Sequence, residues 1–228
     1  MSASARPSPG RTLILRLLHV NLGLMLFGLS LAAMLRAGVG LGPWDVFHEG
    51  LALRTPLTIG QGMIATGFVL LAFSALVARV RPGPGTVMNM LVVGLWVDVF
   101  MSPLLPSPTQ WPLGAALFAF GLVLNGAATG LYLSAGLGAG PRDGFALGLA
   151  RLLGTTVARA RTLVEVCVLA LGWLLGGTVG VGTLVFALTI GPLMQAGLRL
   201  CAPLERAYAL RHGSPGEGAG ARRASSQT

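Results

Sequence analysis

A stretch of ten residues around Pro43 returns 98 residues later in this chain of 228 residues. The first copy reads Gly-Val-Gly-Leu-Gly-Pro-Trp-Asp-Val-Phe from Gly38, and the second reads Gly-Leu-Gly-Ala-Gly-Pro-Arg-Asp-Gly-Phe from Gly136. The match extends without gaps over residues 28–52, where 12 of 25 positions are identical to residues 126–150. A duplication explains such a match most simply, and an internal repeat constrains the fold before any single motif does.

The composition is that of a membrane protein. Hydrophobic residues make up 54% of the chain, charged residues only 10%, and the mean hydropathy is +0.76, whereas soluble domains carry about 25% charged residues. Several stretches of about 20 residues have almost no charge, which is the length that a helix needs to cross a hydrocarbon core about 30 Å thick. The net charge of +9 lies mostly in loops and tails. It therefore indicates membrane topology, and nucleic-acid binding is not predicted because no motif supports it.

Six apolar stretches predict an all-α, polytopic membrane protein with six transmembrane helices, three in each copy of the repeat. They cover about residues 13–35, 59–78, 86–105, 111–134, 162–175 and 181–200. In each copy a glycine-rich loop and a helix of about a dozen residues follow the first span, and Pro43 or Pro141 starts the short helix because Pro suits the first helical position. Gly126 and Gly130 form a GxxxG spacing, which predicts a close helix–helix approach. The predicted organisation is a flexible segment 1–12, repeat 13–105, linker 106–110, repeat 111–201 and cytoplasmic tail 202–228.

The placement of arginine predicts the orientation in the membrane. All 16 basic residues are Arg. With a cytoplasmic N-terminus, 14 of them lie in cytoplasmic segments and only Arg36 and Arg54 lie outside, in agreement with the positive-inside rule. Both termini are then cytoplasmic, in the bacterial cytoplasmic membrane. Because each repeat crosses three times, the second starts from the opposite side, and the two repeats are inverted as in many secondary transporters.

The two glycine loops are the first candidate for a binding site. Their alternating glycines are Gly38, Gly40 and Gly42 in the first copy and Gly136, Gly138 and Gly140 in the second. Such a loop can turn several backbone N–H groups toward one point at the positive end of a helix dipole, where an anionic or carbonyl group could bind. The alternative is that the glycines only permit a tight turn and close packing. A dinucleotide site is not predicted, because no strand precedes the glycines.

Asp45 and Asp143 occupy equivalent positions just inside the short helices. Each carboxylate could cap its own helix by accepting N–H bonds, or it could take up and release a proton or ion as the two loops alternate in exposure. Around Asp45, His48 and Glu49 complete a polar face that the second copy lacks. A metal site on that face would need further ligands, which the sequence does not supply, so neither a metal nor another cofactor is predicted.

Asp98 lies inside an apolar span, where an acidic group is costly unless it faces protein or water. Aligning Gly85-Thr86 with Gly182-Thr183 gives an offset of 97 residues, which pairs Asp98 with Gln195. A polar pair at related depths in both halves is a candidate ion or solute site. Its position toward the end of the span is equally typical of a membrane-interface residue.

Several features of this sequence resemble the YczE/YyaS/YitT-type bacterial membrane proteins. The resemblance covers about residues 12–204 and is carried by the motifs Gly42-Pro43-Trp44-Asp45-Val46-Phe47-His48, Gly50-Leu51, Thr58-Ile59-Gly60 and Gly85-Thr86, with Asp98 in the following span. It implies an integral protein of the bacterial cytoplasmic membrane, and transport or export is the activity suggested for some of that family. The second copy departs from the motif in having Arg142 where the first has Trp44.

The function predicted from these patterns is a small-molecule permease or exporter of inverted-repeat design, with a proton-coupled mechanism as an option. The expected partners are the lipid bilayer, a small solute and, as an open alternative, a second copy of the chain in a homodimer. The second hypothesis is a non-transporting membrane protein that assists the assembly or regulation of a partner complex. An enzyme is not predicted, because no set of nucleophile, base and orienting residue is present.

Overall fold

The computed structural model describes residues 9–212 apart from 78, 80–82, 103–104, 106 and 139. Those residues form helices and connecting loops without any strand, which confirms the predicted all-α class. The helices are α1 (Pro9–Ala37), α2 (Pro43–Arg54), α3 (Ile59–Leu76), α4 (Pro84–Met101), α5 (Trp111–Ser134), α6 (Pro141–Leu152), α7 (Val157–Leu174) and α8 (Val181–His212).

Five helices in the described part of the chain are long and apolar enough to cross a membrane: α1, α3, α4, α5 and α8. The sixth predicted crossing, α7, has the same length as α3, 18 residues. It differs because Arg159, Arg161 and Glu165 lie in its first half, and three charges make a helix less typical of a membrane span.

The helix boundaries agree with the sequence at both short helices. Pro43 and Pro141 are the first residues of α2 and α6, each after an extended glycine. The outer ends differ from expectation: α1 already begins at Pro9, and α8 continues to His212 without a break after residue 201. The remaining parts of the terminal segments predicted to be flexible, residues 1–8 and 213–228, lie outside the described residues.

The backbone repeats as closely as the sequence does. Helices α6 and α7 begin 98 residues after α2 and α3, and α8 begins 97 residues after α4. Gly38 and Gly136 have φ angles of 67° and 65°, and Gly40 and Gly138 have φ angles of 118° and 119°. These angles lie in the region that only glycine adopts without strain, so the first two glycines of each loop are required by the turn itself.

The two halves exchange contacts in a reciprocal way. In the first loop the carbonyl oxygen of Val39 accepts a hydrogen bond from the N–H of Gly182, at the start of α8, over 2.8 Å. In the second loop the carbonyl oxygen of Leu137 accepts one from the N–H of Gly85, at the start of α4, over 2.9 Å. Likewise α2 packs against α7 and α6 packs against α3. Each half thus completes the other, so neither repeat forms a separate domain.

The helices fall into two groups by their packing. Helices α2, α3, α6 and α7 form a ring through the contacts α2–α3, α3–α6, α6–α7 and α7–α2, and α1 joins α4 and α5, which in turn joins α8. The two groups meet where α4 packs against α3 and, less extensively, against α6. The predicted GxxxG contact is confirmed, because a Cβ atom on Gly126 would lie 2.7 Å from the carbonyl group of Leu193 and one on Gly130 would collide with the backbone of Gly197. Close backbone approach at small residues is typical of helix packing in membranes.

Candidate functional site

A cavity of about 200 Å³ lies where the N-terminal turns of α2 and α6 meet helices α1, α5, α7 and α8; we call it cavity 1. Its apolar wall includes Phe27, Trp44, Phe186 and Ile190. Its polar wall consists of Asp45, Asn125, Thr129, Tyr132, Arg142, Asp143, Arg161 and Glu165. An apolar cavity with a few converging polar groups is the common form of a small-molecule site.

Asp45 is the buried carboxylate of cavity 1, and only 5% of its surface is exposed. Gly42, the N-cap residue of α2, has no side chain to cap the helix, and among the described residues the Asp45 carboxylate is influenced by burial and by the charges of Arg142 and Glu49, with no hydrogen bond to it. The helix-cap alternative for Asp45 is therefore not what the structure shows. Burial raises the pKa of Asp45 to about 6, and the positive charge of Arg142 offsets part of that shift, which leaves a carboxyl group that can exchange a proton near neutral pH.

Trp44 and Arg142 occupy the same position in the two repeats, and they contact each other at the inner end of cavity 1. The guanidinium carbon of Arg142 lies 4.7 Å from the centre of the Trp44 ring, within the roughly 6 Å range of cation–π attraction. The contact between two equivalent residues places them at the junction of the halves. Sequence reasoning noted Arg142 only as a departure, although a difference between otherwise matching copies was the signal available.

The exposed side of cavity 1 carries a charge cluster. Arg161 donates from Nε to Glu165 over 3.1 Å and lies 3.5 Å from Asp143. The Asp143 side chain is 50% exposed, in contrast to the buried Asp45. No side chain caps α6 by a hydrogen bond either. Pairs this exposed contribute at most about 1 kcal/mol of stability, so the main effect of the cluster is on the electrostatic potential inside cavity 1.

A second, smaller cavity of about 70 Å³, cavity 2, lies at the equivalent position in the other half. Its wall on α3 includes Met63, Thr66 and Gly67, which correspond under the repeat to Arg161, Val164 and Glu165 on α7 in cavity 1. Phe27, Tyr132 and Arg142 line both cavities. These three side chains therefore form the partition between two pockets of unequal size.

His48 lines cavity 2 and lies one helical turn after Asp45. Only 2% of its surface is exposed, and neither ring nitrogen has a hydrogen-bond partner among the described residues. Burial and the nearby charge of Arg142 lower its pKa well below the usual value, so the ring is neutral. A buried polar group without a partner is rare in proteins, and it leaves both ring nitrogens of His48 free to bind a polar group in cavity 2.

The structure does not bring Asp45, His48 and Glu49 together as a metal site. The Glu49 carboxylate accepts a hydrogen bond from the backbone N–H of Thr178 instead, over 2.5 Å. Among the described residues there is no group of three or more His, Cys, Asp or Glu side chains placed to hold a metal ion.

The glycine loops are packed against the opposite half. A Cβ atom on Gly40 would lie 2.8 Å from the backbone nitrogens of Gly180 and Thr183, and one on Gly138 would lie 2.8 Å from Thr86 Oγ1. Gly42 lines cavity 1, where a Cβ atom would meet the Phe186 ring at 2.7 Å. These contacts favour the close-packing interpretation for the loops.

Asp98 and Gln195 are not brought together, and neither lines cavity 1 or cavity 2. Asp98 accepts hydrogen bonds from the Thr58 hydroxyl over 2.5 Å and from the N–H of Gly60 over 2.9 Å, so it holds the start of α3 against α4. Gln195 is exposed on α8. Asp98 therefore joins α3 to α4, whereas Gln195 makes no equivalent contact between α7 and α8 among the described residues.

The contact held by Asp98 differs from its counterpart in the other half. Along α3 and α4 the backbones of Gly60 and Gly94 touch, since a Cβ atom on Gly94 would lie 2.5 Å from the Gly60 carbonyl oxygen; we call this contact the α3–α4 seam. The equivalent residues are Ala158 on α7 and Gly191 on α8. Both are exposed, and a Cβ atom on Gly191 would meet nothing within 4 Å. Helices α7 and α8 are separated there by what we call the α7–α8 gap.

Comparison with known proteins identifies relatives over most of the chain. The model of a family of unknown function, DUF6198, matches residues 14–198. The uncharacterized membrane protein YczE of Bacillus subtilis is 35% identical over 188 residues, which cover 82% of this chain and 86% of YczE. An uncharacterized protein of Haemophilus influenzae is 34% identical over 192 residues, covering 82% of this chain and 87% of that protein. The uncharacterized protein YyaS of B. subtilis is 26% identical over 183 residues, covering 79% and 91%. No solved structure matches the chain.

Proposed function

We propose that this chain, which belongs to the DUF6198 family together with YczE-like bacterial membrane proteins, is a small-molecule permease that works by alternating access. The observation that carries the proposal is the difference between equivalent contacts: Gly60 and Gly94 touch, whereas Ala158 and Gly191 are apart. Two copies of one structural unit in two different states are what an alternating transporter requires. Membership in this family does not assign an activity, because the function of the family is unknown.

The exchange of contacts between the halves supports two inverted repeats of three crossings each. In this arrangement α7 is the sixth crossing, with its charged first half at the cytoplasmic surface and its apolar second half in lipid. Leu171, Trp173 and Leu174 in that second half are exposed, as lipid-facing residues would be. Both termini are then cytoplasmic, and the α7–α8 gap faces the cytoplasm.

The packing groups suggest which parts move. Helices α2, α3, α6 and α7 would rock as one unit against α1, α4, α5 and α8. In the present state the α3–α4 seam closes the outer side, and cavity 1 connects with the cytoplasm through the α7–α8 gap. Rocking would close that gap and open the seam, so that cavity 2 would enlarge as cavity 1 shrinks. The solute would pass the partition of Phe27, Tyr132 and Arg142.

Asp45 is the residue best suited to couple transport to protons in this mechanism. It lies in cavity 1 on a helix that packs in the moving unit, and its pKa of about 6 lies within the physiological range. A buried carboxylate can stay neutral on one side and ionise on the other as its surroundings change.

Engineered cysteines test the proposed second state. In a background with Cys167 and Cys201 replaced by Ala, the pair Ala158→Cys and Gly191→Cys is expected to form a disulfide, because the gap closes for part of each cycle. The bond should stop solute flux in proteoliposomes, and a reducing agent should restore it. The control pair Ala158→Cys and Leu188→Cys keeps one cysteine on each helix but moves the second to an exposed position one helical turn along α8.

A pair that never crosslinks in membranes would contradict the rocking mechanism. Loss of flux in the Asp45→Asn variant, in the same vesicles, would support the coupling role of Asp45. A protein that carries no solute in a broad panel, but co-purifies stably with one partner, would instead favour the assembly or regulatory role.

A further inference from the structure

The inner end of cavity 1 combines an aromatic face with a buried carboxylate. Trp44 is 9% exposed and presents its ring to the guanidinium of Arg142, and Asp45 follows it directly in the chain. An aromatic face beside a carboxylate is a general way to bind an organic cation, because ring and carboxylate both attract positive charge. In this structure the cation in that position belongs to the protein itself.

The Asp45 carboxylate has unused capacity to bind donors. It accepts no hydrogen bond from the described residues, and the attraction that it receives comes from the charge of Arg142. Burying a carboxylate without hydrogen bonds is costly. A ligand with N–H donors, or with a cationic methylammonium group against the Trp44 ring, would offset this cost better than Arg142 does.

Arg142 has other carboxylates toward which it can move. Asp143 and Glu165 on the exposed side of cavity 1 also attract it. With all groups ionised, the cavity wall holds the three carboxylates of Asp45, Asp143 and Glu165 and only the two guanidiniums of Arg142 and Arg161. The excess of negative charge disfavours an anionic ligand and favours a cationic one.

We propose that Trp44 and Asp45 form a binding site for a small organic cation, of the ammonium or guanidinium class, and that Arg142 occupies this site until the ligand displaces it. Arg142 then acts as a tethered competitor, which lowers the apparent affinity for the ligand and occupies the site again once the ligand has left. The inference rests on the proposed function only in taking cavity 1 as the solute site.

Binding to the purified full-length protein in detergent tests the site without any transport. The probes are guanidinium, tetramethylammonium and acetate, compared at constant ionic strength, with the thermal unfolding midpoint as the readout of binding. We expect the first two to raise the midpoint and acetate to leave it unchanged. The Arg142→Gln variant should bind guanidinium about tenfold more tightly, since the competitor is gone. Arg151→Gln, which removes the same charge from α6 outside the cavity, should bind as the unmodified protein does.

Two further variants keep the test decisive if Arg142→Gln folds poorly. Asp45→Asn should lose binding of both cations, and Trp44→Leu should lose tetramethylammonium more than guanidinium, because only the carboxylate offers hydrogen bonds to the latter. Weaker cation binding in Arg142→Gln, or acetate binding that disappears with Arg142, would overturn the proposal. Flux of neutral solutes without cation binding would refute the cation site but would still support the permease function. Cation binding without flux of any solute would support the cation site and contradict the permease function.

Discussion

The α3–α4 seam and the α7–α8 gap are built from equivalent residues in equivalent positions, yet one is closed and the other open. Gly60 and Gly94 pack backbone to backbone in the seam, while Ala158 and Gly191 stand apart across the gap. A threonine caps the start of the first helix on both sides, Thr58 on α3 and Thr156 on α7, but only Thr58 forms a reciprocal capping box, with Gln61. The local structure is thus similar, and the main difference arises from how the helices are arranged around it.

Two features separate the closed side from the open side. Asp98 bridges α3 and α4, whereas its equivalent Gln195 is exposed. In the opening between α7 and α8 the charged residues Arg161 and Glu165 line cavity 1, at positions where α3 has uncharged residues. The two halves therefore share a backbone plan but differ in the side chains that lie at each contact.

The largest effect is expected from a side chain placed inside the seam. Gly94→Val puts a Cβ atom 2.5 Å from the Gly60 carbonyl oxygen and 2.8 Å from Ile64 Cγ1, so it should lower the free energy of unfolding by about 1–3 kcal/mol. Gly191→Val is the matched control, because its Cβ atom has open space, and we expect a change within about 0.5 kcal/mol. Thermal unfolding of both variants in one detergent is the measurement. Equal losses would mean that the two contacts do not differ in solution.

A smaller effect is expected from the polar bridge. Asp98→Ala removes the acceptor for Thr58 and Gly60, and hydrogen bonds to a charged group contribute about 1.5–3 kcal/mol. Asp98 is half-buried, so in the variant water replaces part of the lost hydrogen bonding. We therefore expect the α3–α4 seam to open about tenfold more often. The readout is the rate at which a membrane-impermeant maleimide labels a cysteine at Ile64. Gln195→Ala serves as the control, and an equal rate in both variants would rule out the bridge as a latch.

The smallest effect concerns the two equivalent aspartates. Because folding raises the pKa of Asp45 from 3.8 to about 6, the folded state binds a proton more tightly between these values, and stability rises as the pH falls through them. From pH 7 to pH 5 we expect a gain of about 1 kcal/mol, at 1.36 kcal/mol per pKa unit. The Asp45→Asn variant should lose this gain relative to the exposed control Asp143→Asn. The same pH response in both variants would assign it to other groups.

Much of the local structure was predictable from the sequence. The apolar spans and the proline starts of α2 and α6 follow from composition and from the fixed φ of proline. The structure confirms both proline starts and five of the six predicted spans, all except α7. The matching φ angles of Gly38 and Gly136 follow from the repeat, because identical glycine patterns adopt identical turns. The length of α8 was not predictable, since its final turns are polar and their helical form depends on continuing an existing helix.

The cavity residues were harder to predict. Asp45 and Asp143 were identified because they occupy equivalent positions at the starts of the short helices, whereas Trp44 and Arg142 were missed as a pair, since they are 98 residues apart and of unlike type. Asp98 was identified as a polar residue in a span, but the sequence could not show that it bonds to the start of α3. Contacts between distant helices depend on how the helices cross, which local patterns do not encode.

By itself the sequence determined a membrane protein made of two related helical units, because hydrophobic length and a strong internal match depend only on residue order. Only the tertiary structure decided that the units exchange contacts, that one seam is closed while its equivalent is open, and that Arg142 stacks on Trp44 beside Asp45. These contacts join residues that are far apart in the sequence, and they depend on the sum of many weak interactions between helices, which residue order alone does not show.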